Sequence, residues 1–447
     1  MKLSRKLLML LAVLLSFSLI AAACGDDEDV DAGAGDTSDE TDVVDDTTDD
    51  MTDDMTDDMT DDMTDDMTDD TSVPAGDGLV IGTVLPETGG LAFLGPPQIE
   101  GAALAAADLA AAGANVTVIT GDSGTDGAVA QETVGRLLGE GANAIVGAAA
   151  SGVSQDIIQT LSDAAIPQCS ASNTSPAFTG QENAGYYFRT VPPDEAVSPI
   201  IADVVSTDGR TNVALVARAD DYGNALAGLV AAELDGLGIA NGTISYDPEN
   251  VASDSVVGDV AAQGADAVVI IGFDEAFPII KAALEAGVAP DAMYGADGVF
   301  SNTLNASIDE ANPNVIDGFT LIGASGGADF NARLTEITEG NLIYGGQAYD
   351  CVITLALAFA QAGTTDGDAL IAAVLDVTND DGGDTTCTSY QECADAIAAG
   401  EGIDYDGVSG PIDLDAGGDP TFGRYAIAQF QDGVLVTIDS QDIDLNF

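Results

Sequence analysis

Three short segments of this chain carry side chains suited to holding a small charged molecule. Gly147-Ala-Ala-Ala-Ser151-Gly-Val-Ser154 follows an apolar run and opens a predicted helix. Ser151 is expected to cap that helix, whose first amides and dipole would attract an anion. Ala171-Ser172-Asn173-Thr174-Ser175-Pro176 follows the run 166–170 and gathers hydroxyl and amide donors. Gly295-Ala296-Asp297-Gly298 follows a third apolar run and offers a carboxylate for a cation. Taken singly, each segment also reads as a helix cap or a turn. What points to a ligand is their shared place at the carboxyl ends of predicted parallel strands, where such sheets bind solutes. Donors on one side and an acid on the other suit a zwitterion.

Little in the sequence supports catalysis. The chain has no His, which removes the commonest general base and metal ligand and argues against triads and zinc chemistry. Lys281 is the only lysine beyond Lys6 and sits in a predicted helix with no Ser-x-x-Lys. Gly236-Leu-Gly238 follows a helix instead of a strand, so it is no dinucleotide loop. Asn379-Asp-Asp-Gly-Gly-Asp384 lacks a full EF-hand ligand series and reads as a solvated acidic loop. No enzyme activity, catalytic residue, cofactor or metal is expected. Ten Lys/Arg stand against 77 Asp/Glu, a formal charge of -67, which excludes nucleic-acid binding. Residues 26–72 hold 23 of those acids, yet the remaining chain is still strongly acidic, with Arg136, Arg189, Arg210, Arg218, Lys281, Arg333 and Arg424 as its only cations beyond Lys6. Such a surface is read as solubility in a salty medium, with a cationic partner as the alternative.

The elements that must position these residues begin after two leading segments. A basic start, the apolar stretch from Leu7 and small residues at its end make 1–23 a secretory signal peptide. Residues 24–77 contain five tandem Met-Thr-Asp-Asp copies from Met51 to Asp70. Dense like charge and poor helix formers make this an extended, disordered spacer, roughly 40 Å long as a neutral coil and longer with self-repulsion. From residue 79 onward, short apolar runs at 79–85, 116–120, 144–146, 213–216, 267–271 and 292–294 predict buried parallel strands. Alanine-rich stretches at 97–112, 128–139, 152–164, 224–237 and 275–286 predict the helices between them. A pause near 186–193 predicts a second sheet, and hence two doubly wound lobes. Four cysteines remain in an exported chain, so disulfides are the default. Cys387 and Cys393 close a short local loop and are paired. Cys169 and Cys351 pair by elimination.

Ala21-Ala22-Ala23-Cys24 resembles the lipobox of bacterial lipoproteins, which implies that the Cys24 thiol is diacylated and tethers the chain to the cell membrane on its extracytoplasmic face. The body resembles the periplasmic-binding-protein type I proteins of the branched-chain amino acid family, the receptors of ABC importers. The marks are Pro86-Glu-Thr-Gly89 with Gly101-Ala-Ala-Leu-Ala-Ala, Asp122, Ile145-Val-Gly-Ala-Ala-Ala-Ser151 and Ile166-Pro-Gln-Cys-Ser-Ala-Ser-Asn-Thr174. Further marks are Tyr187-Phe-Arg-Thr190 before Pro193-Asp194, Asp221-Tyr222-Gly223, Gly295-Ala-Asp-Gly298, Gln347-Ala-Tyr-Asp350 and Tyr405-Asp-Gly-Val-Ser-Gly-Pro411.

That resemblance implies an α/β fold of two doubly wound parallel-sheet lobes joined by a three-strand hinge. Residues 78–195 and 325–408 would form one lobe, and 196–324 and 409–447 the other, so Cys169 and Cys351 share a lobe. It also implies that Ala150 and Ser151, with Ser172, Asn173 and Thr174, hold the ligand carboxylate. Asp297 would meet the ammonium, Tyr222 and Phe273 would wall the cleft, and Phe93 or Leu94 would cover it. The family's acid is often Glu and its lid often Trp, so Asp297 and Phe93-Leu94 depart from the pattern at the ligand. The implied function is capture of a small amino acid, branched-chain favoured, by hinge closure, followed by docking of a monomer on an ABC permease. Amides, urea and aromatic or aliphatic carboxylates are the alternative ligands, and a sensory module is the alternative role.

Overall fold

The computed structural model describes residues 78–445 except 181–184, 339 and 380–384. The signal peptide, Cys24, the Met-Thr-Asp-Asp repeats and most of the 379–384 loop lie outside the described residues.

The first sheet is formed by β1 (Leu79–Leu85), β2 (Val116–Asp122), β3 (Ala144–Gly147), β4 (Gln168–Ser170) and β5 (Tyr187–Arg189). Its order is β2-β1-β3-β4-β5 and every pairing is parallel. Helices α1 (Gly95–Ala111), α2 (Gly127–Gly139) and α3 (Ser151–Asp163) make the crossovers. Both faces of this sheet are covered, which explains the uninterrupted apolar runs. Leu79, Ile81, Ala144 and Val146 pack with Ala102, Ala105 and Leu109 of α1 on one side. Ile145 packs with Val134 and Leu137 of α2 and Ile157 of α3 on the other.

After β5 the chain passes to a second sheet through α4 (Asp194–Thr207). There follow β6 (Asn212–Arg218), α5 (Asp221–Gly236), β7 (Ala240–Tyr246), α6 (Ser253–Gln263) and β8 (Ala267–Ile271). The series continues with α7 (Phe277–Glu285), β9 (Met293–Gly295), α8 (Leu304–Asp309) and β10 (Thr320–Ala324). The chain then returns to the first sheet's outer layer with α9 (Ala328–Thr338), α10 (Gly345–Ala362), α11 (Gly367–Val377), β11 (Thr385–Cys387), α12 (Tyr390–Ala398), β12 (Ile403–Gly407) and β13 (Gly410–Pro411). It ends in the second sheet with β14 (Phe422–Gln431) and β15 (Val434–Asp444), giving the order β15-β14-β10-β9-β8-β6-β7. Strands β6 to β10 run parallel, whereas β14 and β15 are antiparallel, so the second sheet is mixed.

The expected strands and helices are present with small shifts. The stretch near 186–193 is not merely a pause, because Tyr187–Arg189 forms the fifth strand of the first sheet and the crossover follows it. The expected strand at 292–294 is Met293–Gly295, since Pro290–Ala292 forms a short 3-10 turn. A similar turn, Asp274–Ala276, delays the start of α7 to Phe277.

Two disulfides are formed. Cys387–Cys393 closes the short loop, and Cys169–Cys351 joins β4 to α10 across 182 residues of sequence. A clasp on the returning segment is made by Asp350 of α10. Its carboxylate accepts from the Tyr405 hydroxyl at 2.8 Å, Val408 N at 2.9 Å, and Ser409 N and Oγ at 2.8 and 2.5 Å.

Candidate functional site

The loops after β1, β3 and β4 in the first sheet meet those after β6, β8 and β9 in the second around one narrow cavity. Its lining is Leu91, Leu94, Gln98, Ala149, Ala150, Ser151, Ser172, Tyr222, Phe273, Asp297, Gly298 and Tyr344.

On the first-sheet side the cavity meets the beginning of α3. The expected Ser151 cap is corrected: Ala150 occupies the N-cap and Ser151 is the first helical residue. Ala150 has an extended backbone and no side-chain acceptor, so no side chain caps the leading amides. Carboxylates cap α2 and α5 instead: Asp126 accepts from Ala128 N and Val129 N, and Asp220 from Gly223 N. An uncapped N-terminus at a cavity is receptive to an anion. Beside it, Ser172 Oγ lies 3.1 Å from both Gln98 Oε1 and Ala149 O.

Not all of the expected donor loop lines the cavity. Asn173 spends its amide on the carbonyls of Ala148 and Ala149 and accepts from the Tyr187 hydroxyl, so it braces the loop. Thr174 is buried away from the lining, and its carbonyl accepts from Asp194 N at 2.8 Å. The pair expected to cover the ligand divides its work. Leu94 lines the cavity, whereas Phe93 packs on Phe277 of α7 with ring centroids 5.5 Å apart. That contact bridges the two halves, as does the bond from Asp274 N to Gly90 O.

Asp297 occupies the opposite wall, in the 3-10 turn Asp297–Val299 after β9. Its Oδ1 accepts from the Tyr222 hydroxyl at 2.5 Å and from Gly298 N at 2.8 Å, and its Oδ2 accepts from the Tyr344 hydroxyl. Burial raises the carboxyl above its ordinary range, against the pull of these donors. Gly298 is required here, because a Cβ would stand 2.5 Å from Gly272 O and 3.0 Å from the Tyr222 hydroxyl. Tyr222 stacks on Phe273 at 5.6 Å with the planes 19° apart, and the two rings wall the cavity.

Sequence reasoning missed several participants. Tyr344 reaches Asp297 from the start of α10 with φ of 62°, a left-handed backbone that bulky residues rarely adopt outside functional sites. Gln98 is a fully buried amide at the start of an alanine-rich helix, the one sequence signal that could have flagged it. Asp194 is fully buried, and neither of its oxygens has a hydrogen-bond partner of good geometry, although the Thr174 hydroxyl is near enough to ease its charge. Burial and the nearby Asp297 hold the Asp194 carboxyl well above the usual range. It also lies within electrostatic reach of Tyr222, Tyr344 and Tyr425. Among the described residues, no cluster of three or more acidic or thiol side chains is arranged to hold a metal.

The cavity therefore sets an environment that favours an anion, at the start of α3, opposite one that favours a cation, at Asp297. A family model described as "Periplasmic binding protein" matches residues 78–434. The chain is 27% identical over 337 residues to the chemotactic signal transduction system substrate-binding protein BasB of Halobacterium salinarum, covering 73% of this chain and 79% of that one. Among solved structures, it resembles a leucine-binding protein LivK from Thermotoga maritima with TM-score 0.67 and 18% identity, over 82% of this chain and 99% of that one. A solute-binding protein of an R. palustris ABC transporter in complex with benzoate aligns with TM-score 0.64 and 17% identity, over 82% and 97%.

Proposed function

Because the chain belongs to the periplasmic binding protein family and has the type I fold, we propose that it is a receptor that captures an amino acid in the cavity between its halves and delivers it to an ABC permease. The observation that carries this reading is the pairing of opposite environments across one cavity. The uncapped start of α3 and Ser172 stand on one wall; Asp297, held by two tyrosine hydroxyls, stands on the other. An amino acid places its carboxylate at the first and its ammonium at the second. Leu91, Leu94 and Phe273 leave an apolar wall for the side chain, which favours aliphatic ligands. Closing the halves removes both charges from water, and an analogue lacking the ammonium leaves Asp297 without its cation. The family resemblance and the name of the leucine-binding neighbour support the ligand class. The Ala-Ala-Ala-Cys24 motif supports a lipid-anchored, extracytoplasmic placement, checked by mass spectrometry of the mature N-terminus.

One observation favours a second reading. Asp297 already accepts three hydrogen bonds, and burial favours its neutral form, so a ligand with a carboxylate and no ammonium could also be accommodated. The benzoate complex of a similar fold is consistent with this. Calorimetric titration of the purified full chain, stripped of carried-over ligand by unfolding and refolding, separates the two. Leucine, isoleucine, valine, 4-methylvalerate and benzoate form the panel. Micromolar or tighter binding of an aliphatic amino acid, with 4-methylvalerate at least tenfold weaker, supports the amino-acid receptor. Tight binding of the acids alone replaces it with a carboxylate receptor.

A further inference from the structure

We infer that Arg218, which does not line the cavity, is the positioning residue for its aromatic wall. This inference rests on the amino-acid reading only for the ligand used to probe it. The Arg218 side chain is 12% exposed and its guanidinium lies 3.6 Å from the centroid of the Phe273 ring. Phe273 in turn stacks on Tyr222, whose hydroxyl donates to Asp297.

The same guanidinium is gripped by two carboxylates, each two residues from one of the wall rings. Its Nε donates to Asp220 at 2.6 Å, and Asp220 also caps α5 through Gly223 N, two residues before Tyr222 and one after it respectively. Its Nη1 donates to Glu275 at 2.9 Å. Glu275 also accepts from Phe273 N at 3.1 Å and from the Tyr246 hydroxyl at 2.9 Å, which ties the Phe273 loop to the end of β7. Gly223 permits the packing, because a Cβ there would stand 2.2 Å from Arg218 O and 2.6 Å from its Cγ. One cation thus fixes both backbone segments that carry the wall and stacks on one of its rings. A planar guanidinium can do all three at once, whereas an ammonium supplies charge without the stacking plane. Arg218 acts through Phe273 and Tyr222, and so sets how the Tyr222 hydroxyl meets Asp297.

Arg218→Met, Arg218→Lys, Tyr222→Phe and the Arg218→Met/Tyr222→Phe double variant of the full chain test this. L-Leucine affinity is measured by calorimetry. Near-ultraviolet circular dichroism reports the tyrosines directly, since the chain has no Trp. Arg218→Met is expected to weaken leucine binding about tenfold, with Arg218→Lys recovering only part of the loss. In the Tyr222→Phe background the same substitution should cost less than threefold, because the hydroxyl it orients is gone. The tyrosine band should change in Arg218→Met and in Phe273→Leu, and the two changes should not add. Additive affinity losses, or an unchanged tyrosine band, overturn the inference. If the parent chain binds none of leucine, isoleucine and valine, the aliphatic amino-acid reading fails, and the circular dichroism of Arg218→Met and Phe273→Leu still decides the positioning role.

Discussion

Replacing Asp297 by Asn separates binding from folding more cleanly than any other change at this site. The substitution keeps the volume and one acceptor oxygen, and the phenol hydroxyls of Tyr222 and Tyr344 can rotate to accept from the new amide. It removes a buried charge whose desolvation outweighs the help of its three donors, as the raised pKa shows. The unliganded protein should therefore lose little stability or gain some. The ligand ammonium, by contrast, loses a charged partner in a closed cavity, a change that costs about 2–5 kcal/mol. The expectation is set at the low end of that range, about 2–3 kcal/mol or roughly 30- to 150-fold in Kd. Calorimetry at pH 7 with leucine and 4-methylvalerate, alongside thermal melts without ligand, provides the assay. Leucine affinity should fall by that factor while 4-methylvalerate binds no worse. Equal losses for both ligands, a collapsed melting temperature, or leucine affinity within threefold of the parent would refute the ammonium role.

Other expectations follow from the same geometry. Asp297 and Asp194 both have raised pKa values, so leucine binding should weaken as pH falls and should release protons in mildly acidic buffer, read from calorimetry in buffers of different ionisation enthalpy. Burial pushes the Asp350 carboxyl up to about 6 despite its Ser409, Val408 and Tyr405 donors. Its folded value lies above the unfolded one, so its contribution is full below about pH 4 and is lost as pH rises through 6. Between pH 4 and 7 the unfolding free energy of Asp350→Asn should fall by about 2 kcal/mol less than that of the parent chain, read from denaturant unfolding. Phe93→Ala removes the Phe93–Phe277 contact between the halves and should speed leucine release about fivefold, measured by stopped flow, consistent with a ring pair worth about 1 kcal/mol. Replacing Cys169 and Cys351 together by Ala opens a closure of 182 residues and should cost about 2–4 kcal/mol in urea unfolding.

The parallel core of the fold was legible because burial on both sides writes itself into local sequence. Ala267–Ile271 is fully buried and reads as an unbroken apolar run, and β8 has the expected bounds. Edge strands carry no such mark. β7, Ala-Asn-Gly-Thr-Ile-Ser-Tyr, is half exposed, and β15 is exposed along most of its length, so neither was anticipated. Strand β14 escaped for another reason. It pairs antiparallel beside β10, more than a hundred residues away in sequence, and no local pattern encodes that neighbour.

The site divides in the same way. The strand-end reading placed Ser151, Ser172 and Asp297, the family resemblance added Tyr222 and Phe273, and the cavity brings all five together. Their chemistry is local: a hydroxyl after a strand, an acid in a turn. Only tertiary structure decided that Phe93 turns from the cavity to Phe277, that Asn173 braces its own loop, and that Tyr344 and Asp194 join Asp297 from distant segments. The sequence determines which faces must be buried, because hydrophobic periodicity is a property of neighbours. Which charges end up beside one another depends on how those faces pack, and that information lies in contacts between residues far apart in the chain.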